Sequence, residues 1–512
     1  MLLSIVKKEL LANILTFRFL TGLVLSAVLI ASSTYLLTKS HAERLRNYSD
    51  SVMKHRSELQ GAVVYSEIRP TLDKPPEALS TFCEGFDRKL GNMVSISLGE
   101  VPREAKGHER RDNMFLVSPS LDFVSIIAVI LSLFALLASY NAISGENEDG
   151  TLRLTLSNAI SRNAILMGKY LGGMLSLVPS LLISFILALL VIQLSPWVAL
   201  NGADFLRLGL IIGLSLVYIS AFFCFGLFVS SRTRRSSTSL VFVLFFWVMT
   251  VLIHPNTSSY LAGKLRPIDS QRKVDIQRLA IEQEFASQYH DFWEKHRPRK
   301  QKQFATYNSE GVSSWHKSDL ATTPMKTING AKEGMLFGAQ MVKWGEKLRI
   351  QYADRVFDLY QRYFRTLSQQ ASLAKNIARL SPASHYLLAS SVIAKTDVES
   401  YLSLLKQARL YRRELIQYLQ SKDAFGLEWF TRMKPEQMLE AEELLQASSE
   451  VQIPYSWDEV RPLDLSDCPQ FRYAPFGIVG SFSLAWLDLV LLLGFNVLFF
   501  MAAYLSFLRY ET

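Results

Sequence analysis

The residues best suited to chemistry lie in one polar run between two long apolar segments. It extends from Gly145 to Lys169 and has the sequence GENEDGTLRLTLSNAISRNAILMGK. Asp149 is a suitable cap for a first short helix, because an acidic side chain complements the positive end of the helix dipole. Ser161 is a suitable cap for a second helix, which ends on Lys169. The pattern therefore predicts a hairpin of two short capped helices.

Apolar side chains within the same run allow two interpretations. Four of them would project from such a hairpin: Leu152, Leu154, Leu156 and Ile165. Exposed apolar residues on a small element favour a groove on a partner protein. The alternative is an amphipathic loop that rests on lipid headgroups. The pattern alone favours neither.

Motifs for enzymatic chemistry are missing from the sequence. It has no G-x-x-x-x-G-K-[ST] phosphate loop, no H-E-x-x-H zinc helix and no G-x-S-x-G nucleophile elbow. Its eight histidines lack metal-ligand spacing, and its three cysteines include no C-x-x-C pair. We therefore expect a chain that is not an enzyme and that holds no metal or cofactor of its own.

Composition places the chain among membrane proteins. Of its 512 residues, 49% are hydrophobic and 20% are charged, and the mean hydropathy is +0.15. Six segments are candidate membrane spans: Phe19–Leu37, Phe123–Ile143, Leu171–Leu194, Leu208–Val229, Thr238–Ile253 and Leu484–Leu508. The pattern of residues 1–18 predicts an amphipathic interfacial helix, because Leu3, Val6 and Leu10 share one face and lysines lie on the opposite face.

Basic residues indicate the orientation of the spans. The loop after the second span carries Arg153, Arg162 and Lys169, and the loop after the fourth has the sequence SRTRRSS. The loop after the third span contains neither Lys nor Arg. By the positive-inside rule, both termini are cytoplasmic. The net charge of +9 reflects these loops and solvated faces, so we expect no nucleic-acid partner.

The spans divide the chain into segments. We expect an interfacial helix at 1–18, a first span at 19–38, an extracytoplasmic segment at 39–120, a second span at 121–143, cytosolic helices at 144–170, the third to fifth spans at 171–254, a large helical extracytoplasmic domain at 255–477, and the last span with a cytosolic C-terminus at 478–512. The predicted fold class is an all-α polytopic membrane protein whose mainly helical extracytoplasmic domain has a small mixed α/β part.

Both exterior segments have recognisable patterns. In the larger one, apolar spacing predicts a long helix over Lys332–Leu380 that Ser381-Pro382 stops, and Thr396-Asp397 provide caps for another helix. In the smaller one, GAVVYSEIR and NMVSISLGEV are typical of strands.

Two further features concern single side chains. Asp488 lies in the last span, where a carboxylate is a functional candidate, but its closeness to Trp486 favours an interfacial or solvated position. Cys83 and Cys468 lie one in each exterior segment, where disulfides persist. A bridge between them is one expectation and two free thiols are the other. Cys224 in the fourth span is expected to be a small buried hydrophobe.

The polar run resembles the signature of type-2 ABC transporter permeases, in which G-E-x-E-x-G-T-L-R is followed by L-S-N-x-x-S-R and G-K-x-x-G. The matching residues that we assign to coupling are Glu146, Glu148, Gly150, Thr151, Leu152, Arg153, Ser157, Asn158, Ser161, Arg162 and Lys169. The ending FLRYET is similar to the Phe-Leu-Arg-Tyr-Asp close of that family. The stretch ARLSPASHYLLASSVIAKTDVESYLSLL resembles the subgroup with a large extracytoplasmic insertion before the last span.

The resemblance implies a permease subunit in the bacterial cytoplasmic (inner) membrane. It would work as a homodimer or with a related second permease, and with cytosolic ABC ATPase subunits. The polar run would dock on the ATPase through Glu146, Glu148 and Arg153, and ATP and Mg would bind to that partner. Candidates for a translocation route are Ser125, Ser132, Ser139 and Asp488. Helix packing through small residues is an equal alternative for the serines.

The expected function is export or translocation of a lipidic or amphipathic substrate, because the predicted spans carry almost no charge. The rival hypothesis is an ATPase-driven mechanotransmitter or scaffold that acts on an extracytoplasmic partner protein without transport. A membrane enzyme without a recognisable motif comes third.

Overall fold

The computed structural model describes residues 2–107, 121–157, 161–268, 271–296, 331–430 and 462–509. Within them, six helical segments are long and apolar enough to cross a membrane: Phe19–Gln60, Phe123–Glu148, Arg162–Gln193, Gly202–Arg232, Ser236–Leu265 and Ile478–Leu508. The regular structure of these residues is helical apart from one two-stranded sheet. The predicted all-α polytopic fold class is confirmed.

The chain begins with two helices that meet at Thr16. Helix α1 comprises Leu2–Ile14, and α2 comprises Phe17–Gln60. The Thr16 hydroxyl accepts a hydrogen bond from the backbone N–H of Phe19 at 3.3 Å, which starts α2. The 44 residues of α2 extend about 66 Å, roughly twice the thickness of a bilayer's hydrocarbon core. The helix therefore continues well past residue 38, where the first span was expected to end.

The middle of the chain contains the second to fifth spans and the polar run. Its helices are α3 (Phe123–Ile126), α4 (Ser132–Ser139), α5 (Ser144–Glu148), α6 (Thr151–Ser157), α7 (Arg162–Gln193), α8 (Gly202–Arg232), α9 (Ser236–Trp247) and α10 (His254–Leu265). A π-helical segment, Ile127–Leu131, joins α3 to α4, and another, Val248–Ile253, joins α9 to α10. The fifth span therefore continues as a helix beyond its predicted end at Ile253.

The rest of the chain is also helical where it is described. Its helices are α11 (Gln271–His296), α12 (Ala331–Ala378), α13 (Pro382–Ile393), α14 (Val398–Ser421) and α15 (Ile478–Leu508). The long helix predicted to stop at Ser381-Pro382 is confirmed. The predicted start of α14 is confirmed too, because the Asp397 carboxylate accepts a hydrogen bond from the backbone N–H of Glu399 at 3.0 Å.

The small sheet pairs β1 (Thr71–Asp73) with β2 (Met93–Ser95) in antiparallel register. The second strand lies within the predicted strand segment, but the prediction of a strand over residues 61–69 is wrong. There the Glu67 carboxylate accepts a hydrogen bond from the backbone N–H of Val63 at 2.8 Å and closes a turn. Apolar side chains in this turn are buried in succession rather than in alternation, which suits a turn under a helix better than a strand.

Two apolar clusters organise the described residues. One joins the spans, and the other packs the small sheet against α14. Helix α13 belongs to the first, although the sequence placed it in the exterior segment. It packs against α8 and α15, and the rings of Tyr386 and Tyr218 stack there with centroids 4.5 Å apart. The segment between the fifth and last spans is thus anchored among the spans by a buried helix.

Candidate functional site

The polar run folds differently from the predicted hairpin. Its first helix, α5, begins at Ser144, where the Ser230 hydroxyl accepts hydrogen bonds from the backbone N–H groups of Ile143 and Ser144, each at 3.0 Å. Asp149 therefore lies at the C-terminal end of α5 and does not cap α6, so that expectation is wrong. Gly150 follows with a φ of +72°, a conformation that glycine adopts without strain.

The second helix of the predicted hairpin is confirmed at its start but not at its end. Ser161 does cap a helix, since its hydroxyl accepts a hydrogen bond from the backbone N–H of Ala164 at 3.3 Å. That helix does not end at Lys169, however, but continues without a break to Gln193 as the third span. The polar run is therefore the short helices α5 and α6 followed by the first turns of α7, while Asn158 lies outside the described residues.

An ion-pair network holds this run against α1. The Lys169 ammonium is 3.0 Å from Oε1 of Glu9 and 2.9 Å from Oε2 of Glu146. Lys8 donates to the other oxygen of Glu146 at 2.9 Å, and this hydrogen bond raises the pKa of Lys8. The Lys169 side chain is only 3% exposed, and a buried ammonium needs such partners. Glu146 was expected on an ATPase-binding surface, but it joins α5 to α1 and α7.

Glycines explain why α1 approaches α7 so closely. A Cβ at Gly168 would lie 2.5 Å from Cγ2 of Ile5, and one at Gly172 would lie 2.6 Å from Cβ of Glu9. Two glycines four residues apart form the small-residue spacing that lets two helices pack backbone to backbone. The roles of Glu9 and these glycines were not predicted from the sequence. The G-x-x-x-G spacing of Gly168 and Gly172 was the feature of the sequence that could have indicated this close helix packing.

The coupling residues divide into an inner set and an outer set. Leu152 is fully buried, and Arg162 donates to the carbonyl oxygens of Phe507 and Leu508 at the end of α15, at 3.2 and 2.7 Å. Among the side chains of α5 and α6 whose exposure the structure describes, the exposed ones are Glu148, Thr151, Arg153, Leu154 and Ser157. The inner set fastens the run to the spans, while the outer set forms a face open to another molecule.

The serines of the second span make helix contacts in this chain. Ser132 and Ser139 are fully buried, and each bonds back to a carbonyl oxygen one turn earlier. Ser132 also accepts a hydrogen bond from the indole N–H of Trp247 at 2.9 Å, which joins the second span to the fifth. Ser125 is partly exposed. In the single chain, Ser132 and Ser139 therefore fit the alternative of helix packing through small residues rather than a translocation route.

Asp488 is buried rather than solvated, so the expectation of a solvated position is wrong. Its side chain is 1% exposed, and both of its oxygens accept hydrogen bonds from Arg379. His385 provides a third contact at 2.9 Å. The physical reason is α13, which covers this part of α15 with a polar partner that the span itself lacks. Sequence reasoning missed Arg379 and His385, because nothing in the spacing brings them to the last span.

A bridge between Cys83 and Cys468 is not formed, and both are free thiols. Cys83 belongs to the apolar cluster of the spans, where the Thr396 hydroxyl lies 3.8 Å from its sulfur. Cys468 belongs to the other cluster, beside α14. Burial raises the pKa of both thiols, which disfavours the reactive thiolate form. Cys224 is buried in the fourth span, as expected.

The fold and the polar run define a polytopic helical membrane protein with a small accessory element fixed to its spans. A family model described as "ABC-2 family transporter protein" matches residues 3–512, so the chain belongs to that family. It is 33% identical over 129 residues to a probable ABC transporter permease protein NosY of Stutzerimonas stutzeri, and 36% identical over 133 residues to that of Pseudomonas aeruginosa. Each match covers 25% of this chain and 47% of the relative, so the chain spans about half the length of these curated relatives.

Proposed function

We propose that this chain is the membrane subunit of an ABC transporter and that α6, with the end of α5, docks on a separate cytosolic ATPase. The two-sided character of α6 supports this best. Leu152 is fully buried against the spans, whereas Leu154 is 69% exposed and has the exposed Arg153 beside it. A seven-residue helix is not stable on its own. An exposed apolar residue among charges on such a helix suits a groove in a partner.

The contacts of the polar run would pass motion of the ATPase to several helices at once. Ser230 holds the start of α5 on α8, and Arg162 holds the start of α7 on the end of α15. The Lys169–Glu9 and Glu146–Lys8 pairs connect α7 and α5 to α1. A rigid-body shift of α6 would therefore move these helices together. ATP and Mg would bind to the ATPase, and a second permease would complete the assembly in a bacterial cytoplasmic membrane.

The proposed substrate is lipidic or amphipathic. Several charged groups within the described spans are bonded to the fold, among them Arg207, Lys169 and Asp488. Arg207, for example, donates to the carbonyl oxygens of Ile393 and Phe476 and to the hydroxyl of Ser481, at 2.7 to 2.9 Å. Buried charges that are bonded in this way leave mainly apolar span surfaces, which suit a lipid-like molecule better than a small ion.

Force transmission without transport is the second candidate, and two observations favour it. Helix α2 runs without interruption from the first span into the exterior part over 44 residues. Helix α13 fastens the exterior segment to the spans, since the Tyr386 and Ser215 hydroxyls lie 2.8 Å apart and Arg207 bonds to the end of α13. Continuous helices and buried polar contacts of this kind would carry motion from the spans to an extracytoplasmic partner.

Co-purification from native membranes tests the docking assignment. We expect the wild-type chain to retain an ABC ATPase with measurable ATP hydrolysis, and Arg153→Glu and Leu154→Glu to lose it. Arg56→Glu is the matched control, because Arg56 is exposed on α2 far along the chain from the polar run. Normal ATPase retention in both α6 variants would refute the assignment.

Proteoliposomes containing the purified complex separate transport from transmission. If the chain transports, ATP should move a fluorescent phospholipid from one leaflet to the other, and Arg153→Glu should abolish the movement. If lipid stays in place while ATP hydrolysis continues, transmission to an exterior partner is the better account.

A further inference from the structure

A half-open cavity of about 270 Å³ lies between α1, α2, α4, α5 and α7. That volume corresponds to roughly nine water molecules at about 30 Å³ each, close to the lower end of small-molecule sites. The cavity adjoins the ion-pair network of the polar run but takes no part in the exposed face of α6. It is therefore a second candidate site, which adjoins the one proposed for the ATPase only at the end of α5, through Glu146 and Asp149.

The walls of this cavity differ from one end to the other. Its apolar part includes Phe19 of α2, Phe134 and Leu137 of α4, and Leu177 of α7. Its polar part includes the following residues: Lys8, Glu9, Asn13, Asn141, Glu146, Asp149 and Lys169. A cavity with a charged end and an apolar end fits a molecule that has the same division, namely an amphiphile.

The polar end has hydrogen-bonding capacity to spare. Lys8 is 61% exposed and donates to Glu146, and an ammonium carries three N–H groups. Within the described part of the chain, the side-chain amides of Asn13 and Asn141 are engaged in no hydrogen bond. These groups offer donors to a phosphate oxygen.

Charge at the polar end selects among headgroups. The two ammonium groups of Lys8 and Lys169 face three carboxylates, those of Glu9, Glu146 and Asp149, an excess of one negative charge. Asp149 is exposed at the edge of the cavity. A purely anionic headgroup would be repelled by this excess, whereas a headgroup with both a phosphate and an amine would be complementary to it.

We propose that the cavity binds one amine-bearing zwitterionic phospholipid from the leaflet in which α1 lies. Its phosphate is held by Lys8, Asn13 and Asn141, its ammonium faces Asp149, and part of one acyl chain occupies the apolar end beside Phe134. A lipid in this position contacts α1 and the polar run together, so it stabilises their association. This site goes beyond the proposed docking of an ATPase and does not depend on it.

Native mass spectrometry of the full-length chain tests the site. The protein is equilibrated with vesicles of equal parts phosphatidylethanolamine and phosphatidylglycerol, extracted in a mild non-ionic detergent, and analysed for retained lipid. Ala138→Phe fills the cavity, because Ala138 lines it. Asn13→Leu removes one headgroup donor and keeps the number of side-chain heavy atoms and the branching at Cγ. Val28→Phe is the control, since Val28 is 57% exposed on α2 and does not line the cavity.

The wild type and Val28→Phe should retain one phosphatidylethanolamine per chain. Both cavity variants should retain it about tenfold less, Ala138→Phe because its ring occupies the cavity and Asn13→Leu because it removes a hydrogen bond to the charged phosphate. Thermal unfolding of each variant shows whether it is folded. Equal retention by folded Ala138→Phe and wild type, no lipid on the wild type, or equal retention of phosphatidylglycerol would each overturn the proposal. Because no ATPase is present, such a failure leaves the docking assignment unaffected.

Discussion

The carboxylate of Asp488 is held by the guanidinium of Arg379, whose Nε and Nη2 atoms lie 2.7 and 3.0 Å from its two oxygens. Nδ1 of His385 lies 2.9 Å from the same carboxylate. Asp488 belongs to α15, Arg379 follows α12, and His385 is part of α13. One buried carboxylate therefore joins the last span to the helices of the segment that precedes it. Each group depends on the others, because an unpaired buried charge is costly.

Asp488→Asn should lower the free energy of unfolding by about 3 kcal/mol, because it leaves the Arg379 guanidinium without its counter-charge in a buried site. Chemical denaturation in detergent, followed by circular dichroism, measures the change. The double variant Asp488→Leu with Arg379→Leu should lose less than the sum of the two single changes, since it leaves neither charge alone. Unchanged stability of Asp488→Asn would contradict the pairing.

All three cysteines should be free but protected. We expect thiol titration of the protein, purified without reductant, to detect almost no reactive thiol in the native state and three per chain in denaturant. Burial, which raises the pKa of Cys83 and Cys468, is the physical reason for the slow native reaction. One reactive thiol in denatured, non-reduced protein would instead indicate a disulfide.

Local signals predicted much of this fold. Apolar length located the six spans, and the cap at Asp397 and the stop at Ser381-Pro382 fixed helix ends to within a few residues. These features depend on neighbours in the sequence, which pattern analysis can detect. The prediction that Asp149 caps the first helix was wrong because α5 begins earlier, at Ser144, and Asp149 lies at the C-terminal end of α5. A contact from Ser230, 86 residues away, starts that helix.

The environment of single polar residues could not be predicted in the same way. Asp488 looked solvated because its neighbours in sequence suggested an interface. Its burial depends on His385, which is 103 residues away. Glu146 likewise looked like a docking residue, but its partners Lys8 and Lys169 lie on two other helices. Long-range ion pairs leave no periodic trace, so their assignment needed the structure.

Acid should weaken the pairing of α11 with α12. Hydrogen bonds from Arg355 and Tyr352 lower the pKa of Glu284 from 4.5 to about 2. Because the folded pKa is below the unfolded value, the stabilisation is complete above pH 4.5 and is lost as the pH falls towards 2. Pepsin cleavage within α11 should therefore accelerate over this interval. The acceleration should be smaller at high salt, because the side chains of Glu284 and Arg355 are about half exposed and salt screens their pairing.

Glu284→Gln provides the control for this acid response. It removes the titrating group, so α11 should already be more susceptible at pH 4.5 and should change less on further acidification. The Arg278–Glu282 pair lies in the same helix, and Glu282→Gln should leave the wild-type response unchanged. An identical response in wild type and Glu284→Gln would show that another group controls it.

The last prediction concerns the packing of α1 against α7. Gly172→Leu places side-chain atoms where Cβ of Glu9 lies only 2.6 Å from an added Cβ, so α1 must move and the Lys169–Glu9 pair must break. Overpacking of this kind costs about 1–3 kcal/mol, which should speed trypsin cleavage after Lys8 by about tenfold or more. Gly209→Leu is the matched control, because a Cβ there meets nothing within 4 Å. Both changes replace glycine by leucine in a helix, so equal cleavage rates in the two variants would refute the docking of α1 through these glycines.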